Sequence, residues 1–242
     1  MDSKDSAHLA LLKRPELGVT FTKLHSWNLT QYTKCVFLDA DILAIQNADE
    51  LFEQPELSAA CDIGWPDCFN SGMFVFSPSP ETFKRLLEHA DSVGSFDGGD
   101  QGLLNTFFPN WNRLSFIYNM VASVTYTYSP AFKQYGKDVK FVHFLGATKP
   151  WQQAYHTSSG SVVPRPGQEH ISSHLNAWWR IFTKSVQTEL PESLTEQLIG
   201  LHVSPEQSME ECRQRWEHGN PDFRGEDSFD NILAHIDSKI NK

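Results

Sequence analysis

The chain has 242 residues, room for one domain or for one domain with a short appendage. A 40% share of hydrophobic residues, with 12% aromatics, is ample for a sizeable core. The formal net charge of −10 argues against non-specific nucleic-acid binding and would repel an anionic ligand, so a phosphate would need locally placed cations. Cys35, Cys61, Cys68 and Cys212 show no C-x-x-C spacing, and Cys35 sits in an apolar run as a small core hydrophobe would. The opening "MDSKDSAHLALLKRPELG" holds no signal-peptide core and no stretch could span a membrane, so a cytoplasmic protein with reduced thiols is expected.

Up to about Tyr155 the sequence alternates short β-rich runs with helical segments, the pattern of an α/β sheet protein. "KCVFLDADIL" is a near-continuous apolar run, as expected of a strand buried on both faces. "NADELFEQ" reads as a short polar helix or turn, and "FNSGMFVFSPS" as a strand closed by prolines. "SPETFKRLLEHADSV" predicts an amphipathic helix with Ser79 as its cap and Glu81 in the first turn. "DGGDQGLLNTFF" is a Gly-rich turn running into a helix, and "SFIYNMVAS", "VTYTYSP" and "VKFVHFLG" are further strand candidates. "ISSHLNAWWRIFTKSV" predicts a helix anchored by Trp178, Trp179 and Phe182. The organisation expected is a catalytic domain over 1–186, a polar, proline-spaced linker over 187–208, and a helical tail over 209–242. In the tail Phe229, Ile232, Leu233, Ile236 and Ile240 fall at helical spacing after a capping Asp227.

The chemistry begins with Asp39-Ala40-Asp41. At the carboxyl end of a strand, where open α/β sheets bind ligands, period-two alternation would project both carboxylates to one side. Two hard oxygen ligands suit Mg²⁺ or Mn²⁺, although two solvated strand-end aspartates would look the same in sequence. His143, ending a second apolar strand, could add a third ligand, and imidazole ligation shifts the choice toward Mn²⁺. A core histidine would also fit there. Beyond it, Gly146 allows close backbone approach and Lys149 offers a phosphate counter-charge. Asp97, Asp100 and Gln101 on the "SFDGGDQG" turn suit sugar hydroxyls, or else merely cap a helix. Asn70 and Ser71 sit at a strand mouth, and Tyr126 and Tyr128 share one face of a strand, where paired tyrosines usually pack.

The order of the motifs is more informative than any one of them. "YTKCVFLDADIL", "LFEQPELSAACDIGWPDCFNSGMFVFSPS", "GSFDGGDQGLLNTFF", "FIYNM", "YTYSPAFKQYG" and "VKFVHFLGATKPW" resemble, in that order, the glycogenin family over essentially all of residues 5–185. The resemblance implies a retaining, Mn²⁺-dependent glycosyltransferase with the A-type nucleotide-sugar fold, a Rossmann-like mixed α/β sheet. It implies a cytoplasmic enzyme that moves glucose from UDP-glucose to its own tyrosine and extends an α-1,4-glucan, the primer of glycogen. Carried over by residue, it assigns Asp39, Asp41 and His143 to the metal, and Lys23, Gly146 and Lys149 to the diphosphate. Asn70, Ser71, Asp97, Asp100 and Gln101 surround the glucose, with Tyr126 as acceptor. The tail resembles the segment through which the family recruits glycogen synthase, and the family is dimeric. Two departures stand out. The family has a nucleotide-binding βα region before the "DSAHL" match, so an N-terminally truncated fold is expected, and "PNWNRLS" is shorter than its counterpart. A non-catalytic adaptor that dimerises and recruits glycogen synthase is the alternative these departures leave open.

Overall fold

The run "KCVFLDADILAI" folds as two strands, not one. In the computed structural model, which describes residues 15–122, 129–146, 149–156, 160–163 and 169–191, β1 spans Cys35–Leu38 and β2 spans Ile42–Ala44. Between them the chain turns at Asp39-Ala40-Asp41, with the Ile42 N–H donating to the Asp39 carbonyl at 3.0 Å. Aspartates favour such breaks because their side chains offer the backbone alternatives to the ladder, and because carboxylates are costly among apolar neighbours. The break separates two sheets.

β3 (Ser58–Cys61) and β4 (Phe69–Phe76) follow, then α1 (Pro80–Ser92), α2 (Asp100–Phe107) and β5 (Asn112–Leu114). The larger sheet has the order β1-β4-β3-β5. β4 is buried along its whole length and lies antiparallel to both β1 and β3, while β5 joins β3 in parallel. The smaller sheet takes β2 together with β6 (Met120–Val121) and β7 (Phe141–His143), in the order β2-β7-β6. β2 pairs antiparallel with β7 so that Ile42 faces His143, and β6 pairs with β7 in parallel. Both sheets are mixed, as the α/β reading requires.

The core of the larger sheet is aromatic. Residues Pro15–Asn28 wind in 3-10 turns and bring in the fully buried Leu24 and Trp27. The Trp27 ring packs against Phe74, Phe76 and Phe108 at centroid distances of 5.5, 4.7 and 5.9 Å. Ser79 caps α1 as expected, its hydroxyl accepting from the Thr82 N–H at 3.1 Å, and Pro80 opens the helix. "NADELFEQ" gives the short helical turn Asp49–Glu53, which buries Leu51 beside Met73, Val75 and Phe141. "SFIYNMVAS" becomes a 3-10 turn, Phe116–Tyr118, and only then the short β6.

The chain divides into two units, Met1–Ala147 and Thr148–Lys242. α3 (Ser129–Tyr135) belongs to the first. In the second, β8 (Ala154–His156) and β9 (Ser161–Val163) form a hairpin, followed by α4 (Ser172–Ile181), which continues into Phe182–Val186. There Tyr155 stacks on Trp179 at 4.7 Å, and the Asn176 amide oxygen accepts from the Val162 N–H. The strand expected over "VTYTYSP" falls mostly on residues 123–128, which lie outside the described residues. So do the 209–242 tail and all of the linker beyond residue 191.

Candidate active site

The turn between the sheets gathers the metal candidates. The Asp39 N–H donates to the Gly72 carbonyl at 2.8 Å, which fixes Asp39 against β4, while the Asp41 carbonyl accepts from Phe144 N–H at 2.9 Å beside β7. One ligand atom from each of Asp39, Asp41 and His143 can be chosen so that all lie within 4.8 Å of one another. His143 is 2% exposed, and its Nε2 lies 3.4 Å from an Asp41 carboxylate oxygen. The convergence arises from a turn, not from strand alternation. Gly72 makes room for it: a Cβ there would stand 2.4 Å from His143 Cε1 and 2.9 Å from Asn70 Oδ1.

Lys23 supplies the local positive charge that the acidic chain needs. Its ammonium lies 2.6 Å from Asp100 Oδ2 and 3.0 Å from Asp39 Oδ1, and donates to the Ser71 carbonyl at 3.0 Å. It also sits 4.8 Å from the Phe37 ring centroid. Burial works against the ammonium, but the Asp100 and Asp39 carboxylates outweigh it and hold its pKa above the ordinary lysine value. Burial pushes the Asp39 carboxyl up, the charges of Asp100 and Asp41 push the same way, and the pull of Lys23 only partly offsets them. Three carboxylates against one ammonium leave a surplus of negative charge that a divalent cation would neutralise. With hard oxygens and one imidazole nitrogen as donors, these residues fit a divalent ion such as Mn²⁺.

Beside this cluster lies a row of amides and carboxylates. Asp100 opens α2, and its Oδ2 accepts from the Ser71 hydroxyl at 2.7 Å as well as facing Lys23. Gln101 Oε1 accepts from the Ser71 N–H at 3.2 Å and from Asn70 Nδ2 at 3.3 Å. Asp97 Oδ1 accepts from the Ser95 hydroxyl and from the Gly99 and Gly102 N–H groups at 2.7, 2.9 and 3.0 Å, so it builds the first turn of α2. A Cβ at Gly102 would meet that oxygen at 2.3 Å.

Sequence reasoning passed over two members of the row. Asp62 Oδ2 accepts from Asn70 Nδ2 at 2.9 Å and from Gln101 Nε2 at 3.2 Å. Asn119, 1% exposed, joins Asn70 to His143. Their signals were an acidic residue heading the "DIGWPD" loop and the asparagine of "FIYN".

Thus Lys23, Asp39, Asp41, Asn70, Ser71, Asp100, Gln101 and His143 are linked through short polar contacts in the first unit, with Asp97 shaping the turn that carries two of them. Gly146 follows β7 with φ of +114°, a conformation suited to glycine, with nothing within 4 Å of where a Cβ would be. Lys149 belongs to the second unit, where its N–H donates to Gln152 Oε1 at 2.8 Å. Tyr126 lies outside the described residues.

The model of glycosyl transferase family 8 matches residues 52–154, the stretch that runs from just before β3 into β8. With the mixed sheets and the acidic site, this match marks the chain as a retaining glycosyltransferase with the A-type, Rossmann-like nucleotide-sugar fold. Glycogenin-1 of Oryctolagus cuniculus is 51% identical over 270 residues, covering 99% of this chain and 81% of that protein. Glycogenin-2 of Homo sapiens is 56% identical over 195 residues, covering 77% of this chain and 39% of that protein. The chain belongs to the glycogenin family. Among solved structures, the galactosyltransferase LgtC in complex with donor and acceptor sugar analogs aligns over 74% of this chain and 70% of that one, at 18% identity and a TM-score of 0.49.

Proposed function

We propose that this glycosyltransferase of glycogen priming transfers glucose from UDP-glucose to its own Tyr126 and then extends the chain through α-1,4 links. The observation that carries the reading is the convergence of Asp39, Asp41 and His143 on one point, with the buried Lys23 ammonium alongside. Buried charge of this kind is costly to a fold and concentrates where chemistry uses it, which supports catalysis over a purely scaffolding role.

Asp39, Asp41 and His143 would hold Mn²⁺. Bound there, the ion supplies the positive charge that favours departure of UDP. Lys23 adds a cation for the diphosphate, joined by the Gly146 backbone. Asn70, Ser71, Asp100 and Gln101 present donors and acceptors to the glucose hydroxyls, and Asp97 holds the α2 turn that carries Asp100 and Gln101 in place. In the transfer, the anomeric carbon–oxygen bond to UDP breaks, a bond to the Tyr126 oxygen forms, and the phenol's proton passes to the departing UDP phosphate oxygen. A phenol with a reference pKa of about 10 is a poor nucleophile while protonated, so alignment with the anomeric carbon has to compensate. Retention is met either by prior attack of a carboxylate or by entry of the phenol on the face that UDP leaves. The 209–242 segment would recruit glycogen synthase as an amphipathic helix, the glucan would be the later acceptor, and the enzyme would act as a homodimer in the cytoplasm. Among the described residues no helix is long and apolar enough to cross a membrane.

Intact mass after incubation with UDP-glucose and Mn²⁺ tests the reading, because each added hexose is countable. The wild-type chain should gain hexoses, Tyr126→Phe should gain none, and Tyr128→Phe should still gain them. A first glucose mapped to Tyr128, or to any residue outside 123–128, would overturn the acceptor assignment.

A further inference from the structure

We propose that Asn119 is a positioning residue that fixes the tautomer of His143, placing the ring proton on Nδ1 and leaving the Nε2 lone pair toward Asp41 for a cation. The function of that lone pair rests on the metal-site reading above; the tautomer itself does not.

One chain of hydrogen bonds leads from Asp62 to His143, and its contacts admit a single orientation. At one end, Asn70 Nδ2 lies 2.9 Å from the Asp62 carboxylate, which can only accept. On its other side, Asn70 Oδ1 receives the Gly72 N–H at 3.0 Å, and a backbone N–H can only donate. The Asn70 amide is therefore pinned from both sides. Asn119 Nδ2 then donates to that same Asn70 Oδ1 at 2.9 Å, because an oxygen already set as acceptor needs a donor. This leaves Asn119 Oδ1 facing His143 Nδ1 at 2.9 Å, and an amide oxygen accepts. So Nδ1 carries the hydrogen. A neutral imidazole has one N–H, and Nε2 is then a bare lone pair 3.4 Å from an Asp41 oxygen. Two electron-rich atoms face each other across that gap, a repulsive contact until something positive lies between them.

Burial makes the arrangement stiff. Asn119, Asn70 and His143 are 1%, 4% and 2% exposed, so water does not readily offer alternative partners. The imidazole packs close over Gly72, 2.4 Å from where a Cβ would stand, a position that any other residue would deny it. A partner on the far nitrogen of a metal-binding histidine sets ring orientation and raises ligand basicity, and its removal typically costs about 10–100-fold in metal affinity.

The test uses the full chain labelled with ¹⁵N-histidine, without metal, at a pH where the ring is neutral. His143 is assigned among the ten histidines by its absence in His143→Gln. The wild type should show the proton on Nδ1, with the bare-nitrogen shift at Nε2. Asn119→Leu, which removes the acceptor at similar volume, should lose the single tautomer and bind Mn²⁺ alone about 10–100-fold more weakly. Asp62→Asn should keep the wild-type tautomer, since the Gly72 N–H still holds Asn70. A wild-type ring protonated on Nε2 overturns the proposal, and needs no variant to fold. So does a folded Asn119→Leu with unchanged tautomer and unchanged Mn²⁺ affinity. Asp41→Asn separates the two readings: unchanged Mn²⁺ affinity there defeats the metal site and leaves the tautomer result standing.

Discussion

Lys23 and Lys140 make the same kinds of contact in opposite surroundings. Each lies against a carboxylate and over an aromatic ring, Lys23 over Phe37 at 4.8 Å and Lys140 over Tyr118 at 5.8 Å. The Lys23 side chain is 9% exposed and answers to Asp100, at 8%, to Asp39, at 33%, and to the Ser71 carbonyl. Lys140 meets Glu50, 43% exposed, whose carboxylate also accepts from the Tyr118 hydroxyl at 2.7 Å. Solvent reaches the Lys140–Glu50 pair, at 23% and 43%, more readily than the Lys23–Asp100 pair, at 9% and 8%. An ion pair is therefore a fixed part of the geometry only where its loss would leave a charge without water.

Breaking the buried pair should have the largest effect. Lys23→Met removes the cation and leaves Asp39 and Asp100 facing each other, so urea unfolding at pH 7 should show a loss of about 3–5 kcal/mol. The deficit should shrink as pH falls, because burial already holds the Asp39 carboxyl above the usual range, and its protonation in the folded state relieves the strain. A loss below about 1 kcal/mol, the range of solvated pairs, would show that water reaches the cluster and would erase the contrast.

Gly72→Ala sharpens the comparison sterically. The new methyl would stand 2.4 Å from His143 Cε1, so the imidazole must move or β4 must shift. Thermal unfolding should register a cost of about 1–3 kcal/mol, with weaker Mn²⁺ binding measured by titration. Wild-type metal affinity in a folded Gly72→Ala protein would show that the ring position is not what matters.

The smallest effect belongs to the exposed pair. Hydrogen bonds from Lys140 and Tyr118 lower the Glu50 pKa from 4.5 to about 2. A carboxyl lowered on folding stabilises above its unfolded pKa, and that contribution is lost as pH falls through the folded value. Glu50→Gln should thus be slightly less stable than wild type at neutral pH, with the difference fading between about pH 4.5 and 2. A difference that persists at pH 2 would mean that the contacts act by packing instead of charge.

What could be read in advance follows the distance over which each signal operates. The Ser79 cap lies in a few consecutive residues, and β4 in one apolar run. Asp39, Asp41 and His143 were visible because two lie in one tripeptide and the third ends a strand that pairs with β2, Ile42 against His143. The turn at Asp39-Ala40-Asp41 was hidden by the apolar residues on either side, which look alike whether they fill one sheet or two. β5 reads only as "NRL", and its strand character comes from parallel pairing with β3, Ser58 against Asn112. Asp62 and Asn119 were hidden for a related reason. Asparagine and aspartate are ordinary loop residues, and these two acquire a role only when Asn70 brings them to His143.

The break between β1 and β2 also makes the three candidate ligands a joint in a mechanical sense. Asp39 is tied to the larger sheet through Gly72, whereas Asp41 and His143 belong to the smaller one through Phe144 and the β2–β7 pairing. An ion bound to all three would act as a rivet across the seam, resisting any sliding of one sheet past the other. Its grip on the folded state would strengthen by about 1.4 kcal/mol for each tenfold rise in free ion above the dissociation constant. The ion proposed to ready the donor would then also hold the floor of the site level.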